Sequence, residues 1–117
     1  MAIPTGSGTE VIKYTKLTDL SNTNQTLITG VANHIYTIIS IIWCEQGVAN
    51  EQIMLHLNDS DGSTNRCMIF YGLDLPSEST FVWSDRFSFD GDKKLATGAL
   101  ATANIDVICT YIDQDWT

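Results

Sequence analysis

From Glu10 onward the sequence consists of short apolar segments, separated roughly every 8 to 12 residues by clusters of turn-forming residues. The segments are rich in Ile, Val, Phe, Tyr and Thr, which favour β-strands. The breaks contain Gly, Asn, Asp or Pro, which favour turns. The pattern predicts strands at about residues 11–17, 26–29, 34–45, 52–58, 66–71, 80–84, 86–89, 94–97 and 105–112.

This spacing predicts an all-β fold, an antiparallel β-sandwich of about eight strands, because some of the segments are expected to merge. Jelly rolls and immunoglobulin-like Greek keys share these spacings, so both strand orders stay open. At 117 residues the chain has the length of one domain. Residues 1–9 are predicted to form a flexible N-terminal arm, because they are rich in Gly, Ser, Thr and Pro and bury little apolar surface. Residues 10–117 then form the sandwich.

The charge of the chain bears on its partners. The formal net charge is -8, and the six basic residues are scattered. Nucleic-acid binders need clustered Lys and Arg to replace the counterions of the phosphates, so no direct nucleic-acid binding is expected. The N-terminus lacks the basic and apolar regions of a signal peptide. The longest apolar run, residues 38–44, is too short for a membrane helix, so no membrane partner is expected.

The third predicted strand is apolar on both faces. Strict alternation places Ile35, Thr37, Ile39, Ile41 and Trp43 on one face, and Tyr36, Ile38, Ser40, Ile42 and Cys44 on the other. Such a strand is expected in the middle of a sheet, with the sandwich core on one side and a second element or a second subunit on the other. The last strand has one clear core face, formed by Ile105, Val107, Cys109 and Tyr111.

Catalytic and metal-binding patterns are sparse. His34 and His56 are the only histidines, and the sequence contains neither an H-E-x-x-H nor a G-x-S-x-G motif. A zinc site made of both histidines and a carboxylate is kept as an alternative. The chain is predicted to be no enzyme and to hold neither a cofactor nor a metal.

The cysteines and the acidic turns have structural interpretations. Cys44, Cys67 and Cys109 are widely spaced and odd in number, and they are predicted to be reduced thiols on buried strands of a protein made in the cytoplasm. The turns at residues 59–62 and 90–92 contain pairs of aspartates. Each turn lacks the further ligands of an EF-hand loop, so calcium binding is a minor alternative.

The three tryptophans suggest binding roles. Trp116 lies at the end of the sequence, where it either folds back onto its own sandwich or packs into a neighbouring subunit. Exposed aromatic rings on one face could instead form a platform for sugar rings, with Trp83 or Trp43 as candidates.

Five segments carry a resemblance to a known family: residues 1–10 (MAIPTGSGTE), 32–40 (ANHIYTIIS), 75–83 (LPSESTFVW), 87–95 (FSFDGDKKL) and 106–116 (DVICTYIDQDW). With them the chain resembles small β-sandwich structural proteins of tailed bacteriophage virions, particularly head decoration (cement) proteins. The resemblance implies a virion subunit on the outer surface of the capsid or tail, made in the host cytoplasm. It also implies a homotrimer that binds the major capsid protein or other virion proteins, and it carries over no catalytic residues.

The resulting hypothesis is a structural protein that staples neighbouring capsid subunits. Its apolar second face is expected to form the trimer, and its arm and tail to hold the capsid. The residues predicted to bind partners are Ile3, Pro4, Thr5, Tyr111, Asp113 and Trp116. The alternatives are a tail fibre or baseplate component, or a carbohydrate-binding module on a phage tail.

Overall fold

The structure is a computed structural model that describes residues 8–59 and 66–116. All regular elements in these ranges are strands, and no helix long and apolar enough to cross a membrane occurs in them. The strands are β1 (Thr9–Leu17), β2 (Gln25–Thr29), β3 (His34–Glu45), β4 (Glu51–Asp59), β5 (Cys67–Leu75), β6 (Thr80–Trp83), β7 (Ser88–Asp90), β8 (Lys93–Ala99) and β9 (Ile105–Asp115).

Each predicted segment overlaps one of these strands. None of the segments merges, so the described residues form nine strands and not about eight. Strand β1 begins at Thr9, one residue inside the segment that was predicted to be the arm. Residues 1–7 of that predicted arm lie outside the described residues.

The strands form two antiparallel sheets, which confirms the β-sandwich. Sheet A has the order β1-β9-β3-β6, with β7 pairing another part of β3, and sheet B has the order β2-β8-β4-β5. The pairs nest around the β4 and β5 hairpin: β3 pairs β6 and β7, β2 pairs β8, and β1 pairs β9. This is one long folded ribbon wound into two sheets, which is the jelly-roll order.

The core lies between the two sheets, and one polar link joins them. The Trp43 side chain is fully buried, and its Nε1 donates a hydrogen bond of 3.1 Å to Oγ1 of Thr97 in sheet B. The Thr97 hydroxyl donates in turn to the carbonyl oxygen of Met54 at 2.7 Å. Every polar group in this link therefore has a partner. Other fully buried side chains are Leu20, Ile38, Ile41, Ile53, Leu55, Leu75, Leu95, Ile105 and Val107.

A β-bulge changes which residues of β3 face the core. The register between β3 and β9 shifts between Ile38 and Ser40. A bulge inserts one extra residue and so reverses the alternation beyond it. The core face of β3 consequently contains Tyr36, Ile38, Ile41, Trp43 and Glu45, all of which are buried. The strict alternation predicted from the sequence is wrong, because it places Tyr36 and Ile38 on one face of β3 and Ile41 and Trp43 on the other face.

Candidate functional site

The register of sheet A defines a face that points away from sheet B, which we call the outer face. Residues paired directly across antiparallel strands lie on the same side of the sheet. Three neighbouring rows cross the middle of the outer face: Ile12, Ile112, Thr37 and Ser88; Tyr14, Thr110 and Ser40; and Lys16, Ile108, Ile42 and Val82. Only Lys16, at the edge, carries a charge in these rows. The centre of the outer face is therefore uncharged and largely apolar.

Several large apolar side chains of the outer face are exposed. The exposed fraction is 71% for Ile12, 69% for Tyr14, 51% for Val82 and 47% for Ile108. Polar and charged residues border the rows at both ends, including Glu10 and Gln114 at one end and Asp106 at the other. An apolar centre with a polar rim is typical of protein-binding surfaces. The sequence predicts that a second element or a second subunit covers this side of β3. In the described residues the surface is open to solvent.

The six residues predicted to bind partners fall into two groups. Ile3, Pro4 and Thr5 lie outside the described residues. Tyr111, Asp113 and Trp116 lie on or just after β9, close to one end of the sandwich. Tyr111 is half-buried and packs against the core. All three contact their own chain, and partner binding by these residues stays a prediction.

Asp113 is the centre of a polar cluster on the inner side of sheet A. Its carboxylate accepts a hydrogen bond of 2.8 Å from Lys13 Nζ and one of 2.7 Å from His34 Nδ1. The side chain is only 7% exposed, whereas the side chain of Lys13 is 48% exposed. Burial by itself raises the pKa of Asp113, but the hydrogen bonds from Lys13 and His34 and their charges hold it below its usual range. The cluster fixes β1 and β3 to β9.

Asp113→Asn is expected to lower the free energy of unfolding by about 2 kcal/mol at pH 7, because it removes charge-assisted hydrogen bonds. A depressed folded-state pKa gives stability that is present above the unfolded-state pKa and is lost as the pH falls through the folded-state pKa. The difference between wild type and variant should therefore shrink below about pH 4. Urea unfolding at a series of pH values measures this difference in the free energy of unfolding. Asp92→Asn, at an exposed turn position, is the control and should change stability by less than about 0.5 kcal/mol at every pH.

Trp116 folds back onto its own chain. Its backbone N–H donates to the carbonyl oxygen of Asn33 at 3.0 Å. The indole ring lies beside Gly8, where an added Cβ would come within 2.9 Å of Cδ2 of the ring. Of the two alternatives left open by the sequence, the structure shows the intramolecular one. The indole Nε1 is buried and has no acceptor among the described residues.

The other two tryptophans belong to an internal series of aromatic contacts. Trp43 packs against Phe70 and Phe81, with ring centroids 5.4 and 5.7 Å apart. The half-buried Trp83 packs between Phe70 and Phe87, and its Nε1 donates to the carbonyl oxygen of Asp85 at 2.8 Å. The suggestion that Trp43 stacks on a sugar ring is wrong, because its side chain is fully buried.

The two histidines lie in different sheets. His34 is bound to Asp113, and the fully buried His56 makes a hydrogen bond of 2.9 Å through Nδ1 to Oδ1 of Asn58. Burial lowers the pKa of His56. No group of three or more His, Cys, Asp or Glu side chains in residues 8–59 and 66–116 is arranged to hold a metal.

The cysteines differ in their exposure. Cys109 is buried, and burial raises the pKa of its thiol to about 12, so it stays a protonated core side chain. Cys44 is half-buried at the rim of the outer face. The prediction that all three are buried is wrong for Cys67, which is exposed. It starts β5, an edge strand of sheet B with β4 as its neighbour.

The two acidic turns make contacts within the chain. Asp59 pairs with Lys93 at 2.8 Å, and the rest of the turn at 59–62 lies outside the described residues. In the other turn, Oδ1 of Asp90 accepts a hydrogen bond from the backbone N–H of Asp92 at 3.2 Å. Such a contact is typical of turn-stabilising aspartates.

Comparison with known proteins identifies a similar fold. No family model matches the chain, and no curated protein matches it. A solved structure of Bacillus endospore appendages, described as a novel family of disulfide-linked pili, is similar over 100% of this chain and 97% of that chain, with 12% identity and a TM-score of 0.58. This likeness supports the fold.

A weaker likeness involves a carbohydrate-active enzyme. The CBM22-1 and GH10 modules of Clostridium thermocellum endo-1,4-β-D-xylanase 10B, complexed with xylohexaose, match with 12% identity and a TM-score of 0.46. The match covers 87% of this chain and 26% of that chain.

Proposed function

We propose that this protein is a non-enzymatic structural subunit that binds a neighbouring protein subunit through the outer face of sheet A. The observation that carries the proposal is the uncharged centre of that face, where Ile12, Tyr14, Val82 and Ile108 are exposed. Large apolar side chains on one continuous surface gain free energy when another protein covers them, by roughly 25 cal/mol for each Å² removed from water. A polar rim keeps the surface soluble before assembly.

The assembly that we propose is a tailed-phage virion, in which the protein decorates the outside of the capsid. The sequence resemblance is the source of this setting, and the net charge of -8 suits a protein that stays soluble until it docks. A fold of similar length occurs in the endospore pilus, so a jelly roll of this size is compatible with repeated protein assembly. Many symmetric copies bind together, so avidity adds to a modest affinity of each copy.

Ile108→Lys is expected to weaken subunit binding at least about a hundredfold, because it buries a charge without a partner at the centre of the contact. The measurement is co-sedimentation of the purified full chain with heads isolated from the phage that encodes it. Val48→Lys is the control, because Val48 is 92% exposed in the turn between β3 and β4. We expect the control variant to bind like the wild type.

The same experiment has two contrary outcomes. If the wild type does not bind the heads, the virion setting is wrong. If the wild type and the Ile108→Lys variant bind equally, the outer face is not the binding surface. The resemblance implies a homotrimer with about three times the mass of the 12.9 kDa chain, and light scattering of the unbound chain distinguishes it from a smaller assembly.

A further inference from the structure

Strand β1 differs from the other edge strands of the described sandwich. It is nine residues long, and its register with β9 runs from Thr9 to Leu17 without a bulge. The other edges are short or irregular: β2, β6 and β7 have five, four and three residues. Strand β5 is long, but its pairing with β4 contains two register shifts. Short and bulged edges resist pairing with another chain, and β1 lacks both protections.

Both faces of β1 carry exposed apolar side chains. Val11 on the inner side is 46% exposed, and Ile12 and Tyr14 on the outer face are 71% and 69% exposed. Within residues 8–59 and 66–116, β1 pairs only with β9. Its second edge therefore offers a row of backbone N–H and C=O groups beside apolar side chains. This combination favours the addition of a strand.

We propose that β1 pairs with β1 of a second copy of this chain, antiparallel and about a two-fold axis perpendicular to sheet A. Two copies then form one continuous sheet. The contact is isologous, so it closes as a dimer and does not continue into a fibre. This inference concerns the edge of sheet A and goes beyond the proposed function, which concerns its outer face.

The register of this pair follows from the length of β1. All nine residues find a partner only when the axis passes through the middle residue, Lys13. Each residue then faces the residue equally far on the other side of Lys13. Glu10 of one copy consequently lies opposite Lys16 of the other, and Ile12 lies opposite Tyr14. Each pair occurs twice, because the axis relates the two copies.

Both of these pairs are complementary. Glu10, Ile12, Tyr14 and Lys16 all lie on the outer face, since direct partners in a sheet share a side. Opposite charges and aromatic rings beside β-branched side chains are favourable cross-strand neighbours. The register that gives the longest pairing therefore also matches charge with opposite charge, and a shift by two residues would lose this match.

The residue on the axis meets its own copy. Lys13 lies opposite Lys13 of the second chain, which would be unfavourable for two isolated cations. Each ammonium group is already held by its own Asp113 at 2.8 Å on the inner side of the sheet. The two ion pairs thus neutralise the positive charges of the two lysines at the axis. This gives the cluster around Asp113 a role at the dimer contact.

Charge exchange tests the register directly. In Glu10→Lys the pair becomes Lys opposite Lys, and in Lys16→Glu it becomes Glu opposite Glu. Each variant alone should weaken the dimer roughly tenfold or more at low salt, because two pairs turn repulsive. When the two variants are mixed, both pairs become opposite in charge again, so a heterodimer should form with about the affinity of the wild type. Sedimentation equilibrium of the full chain measures all three samples.

Glu78→Lys is the matched control, because Glu78 is exposed in the turn before β6 and makes the same change of net charge. It should dimerise like the wild type. Circular dichroism checks that every variant is folded. A monomeric wild type at about 1 mM, which is a concentration where weak contacts already form, would overturn the proposal. The proposal would also be overturned if the folded Glu10→Lys and Lys16→Glu variants form no heterodimer when they are mixed.

The outcomes for the edge and for the outer face are separable. Ile108 lies in the interior of sheet A, so the Ile108→Lys variant should leave the β1 dimer intact. Loss of dimerisation with Ile108→Lys would contradict the edge contact, whereas loss of head binding alone concerns the proposed function.

Discussion

Trp43→Ala is expected to lower the free energy of unfolding by about 3–5 kcal/mol, the largest loss that we expect from removing one side chain of this core. Trp43 is fully buried, packs against two aromatic rings and donates to Thr97 across the sandwich. The substitution removes this packing, leaves a cavity, and deprives the Thr97 hydroxyl of its donor. A domain of this size has a total stability of about 5–15 kcal/mol, so the variant should be close to unfolding.

Urea unfolding followed by circular dichroism measures this loss without relying on tryptophan fluorescence. Val82→Ala is a suitable control, because Val82 is about half-exposed on β6 of the same sheet. It should change stability by less than about 0.5 kcal/mol. Equal losses in the two variants would show that the core is not centred on Trp43.

Gly91→Ala is expected to destabilise the fold by about 3 kcal/mol. Gly91 lies in the turn between β7 and β8, where a Cβ would overlap the carbonyl group of Val31 in the turn between β2 and β3. Gly30 lies in the turn between β2 and β3 as well, and its N–H donates a hydrogen bond of 2.9 Å to the carbonyl oxygen of Lys93. Two backbones therefore meet without side chains, and neither can move without breaking this contact.

The matched control for Gly91→Ala is Gly47→Ala. There the three atoms nearest to the added Cβ all belong to side chains, the first being Oε1 of Glu45 at 3.0 Å, so the loss of stability should be clearly smaller than for Gly91→Ala. Thermal unfolding of both variants, beside the wild type, gives the comparison. A small change in melting temperature for Gly91→Ala would mean that the two turns are not in close contact in solution.

The two proposed contacts of sheet A would reinforce each other. A two-fold axis perpendicular to the sheet places both outer faces of the dimer on the same side. Two faces on one rigid sheet can then bind neighbouring subunits of one particle, and the second contact forms at a high effective concentration. Individual outer-face contacts of modest affinity would thus suffice for stable decoration.

Some of the candidate site was accessible from the sequence. The apolar second face of β3 was visible, and it indicated a surface that needs a covering. The rows of the outer face were not visible, because they join residues such as Ile12, Ile112 and Thr37, which are far apart in the chain. The exposure of β1 was missed, although Val11, Ile12 and Tyr14 supply apolar residues to both of its faces.

The positions of the strands follow from local properties of the chain. β-branched and aromatic residues favour extended backbone, and Gly, Asn, Asp and Pro interrupt it, so each segment carries its own signal. All the predicted segments contain strand for this reason. Charge and composition are likewise properties of the sequence alone, and the expectation of an acidic protein without a basic stripe needs no coordinates.

Strand order, the bulge in β3 and the burial of Asp113 depend on partners that are distant in sequence. Jelly-roll and immunoglobulin orders contain the same local segments, and only the pairing of β1 with β9 and β2 with β8 separates them. The bulge beside Ile38 exists because β3 must keep both Ile38 and Ile41 in the core while it pairs with β9. Asp113 is buried because Lys13 and His34, from two other strands, meet its carboxylate. Interactions of this kind are decided by tertiary packing, since their free energy appears only when separate segments come together.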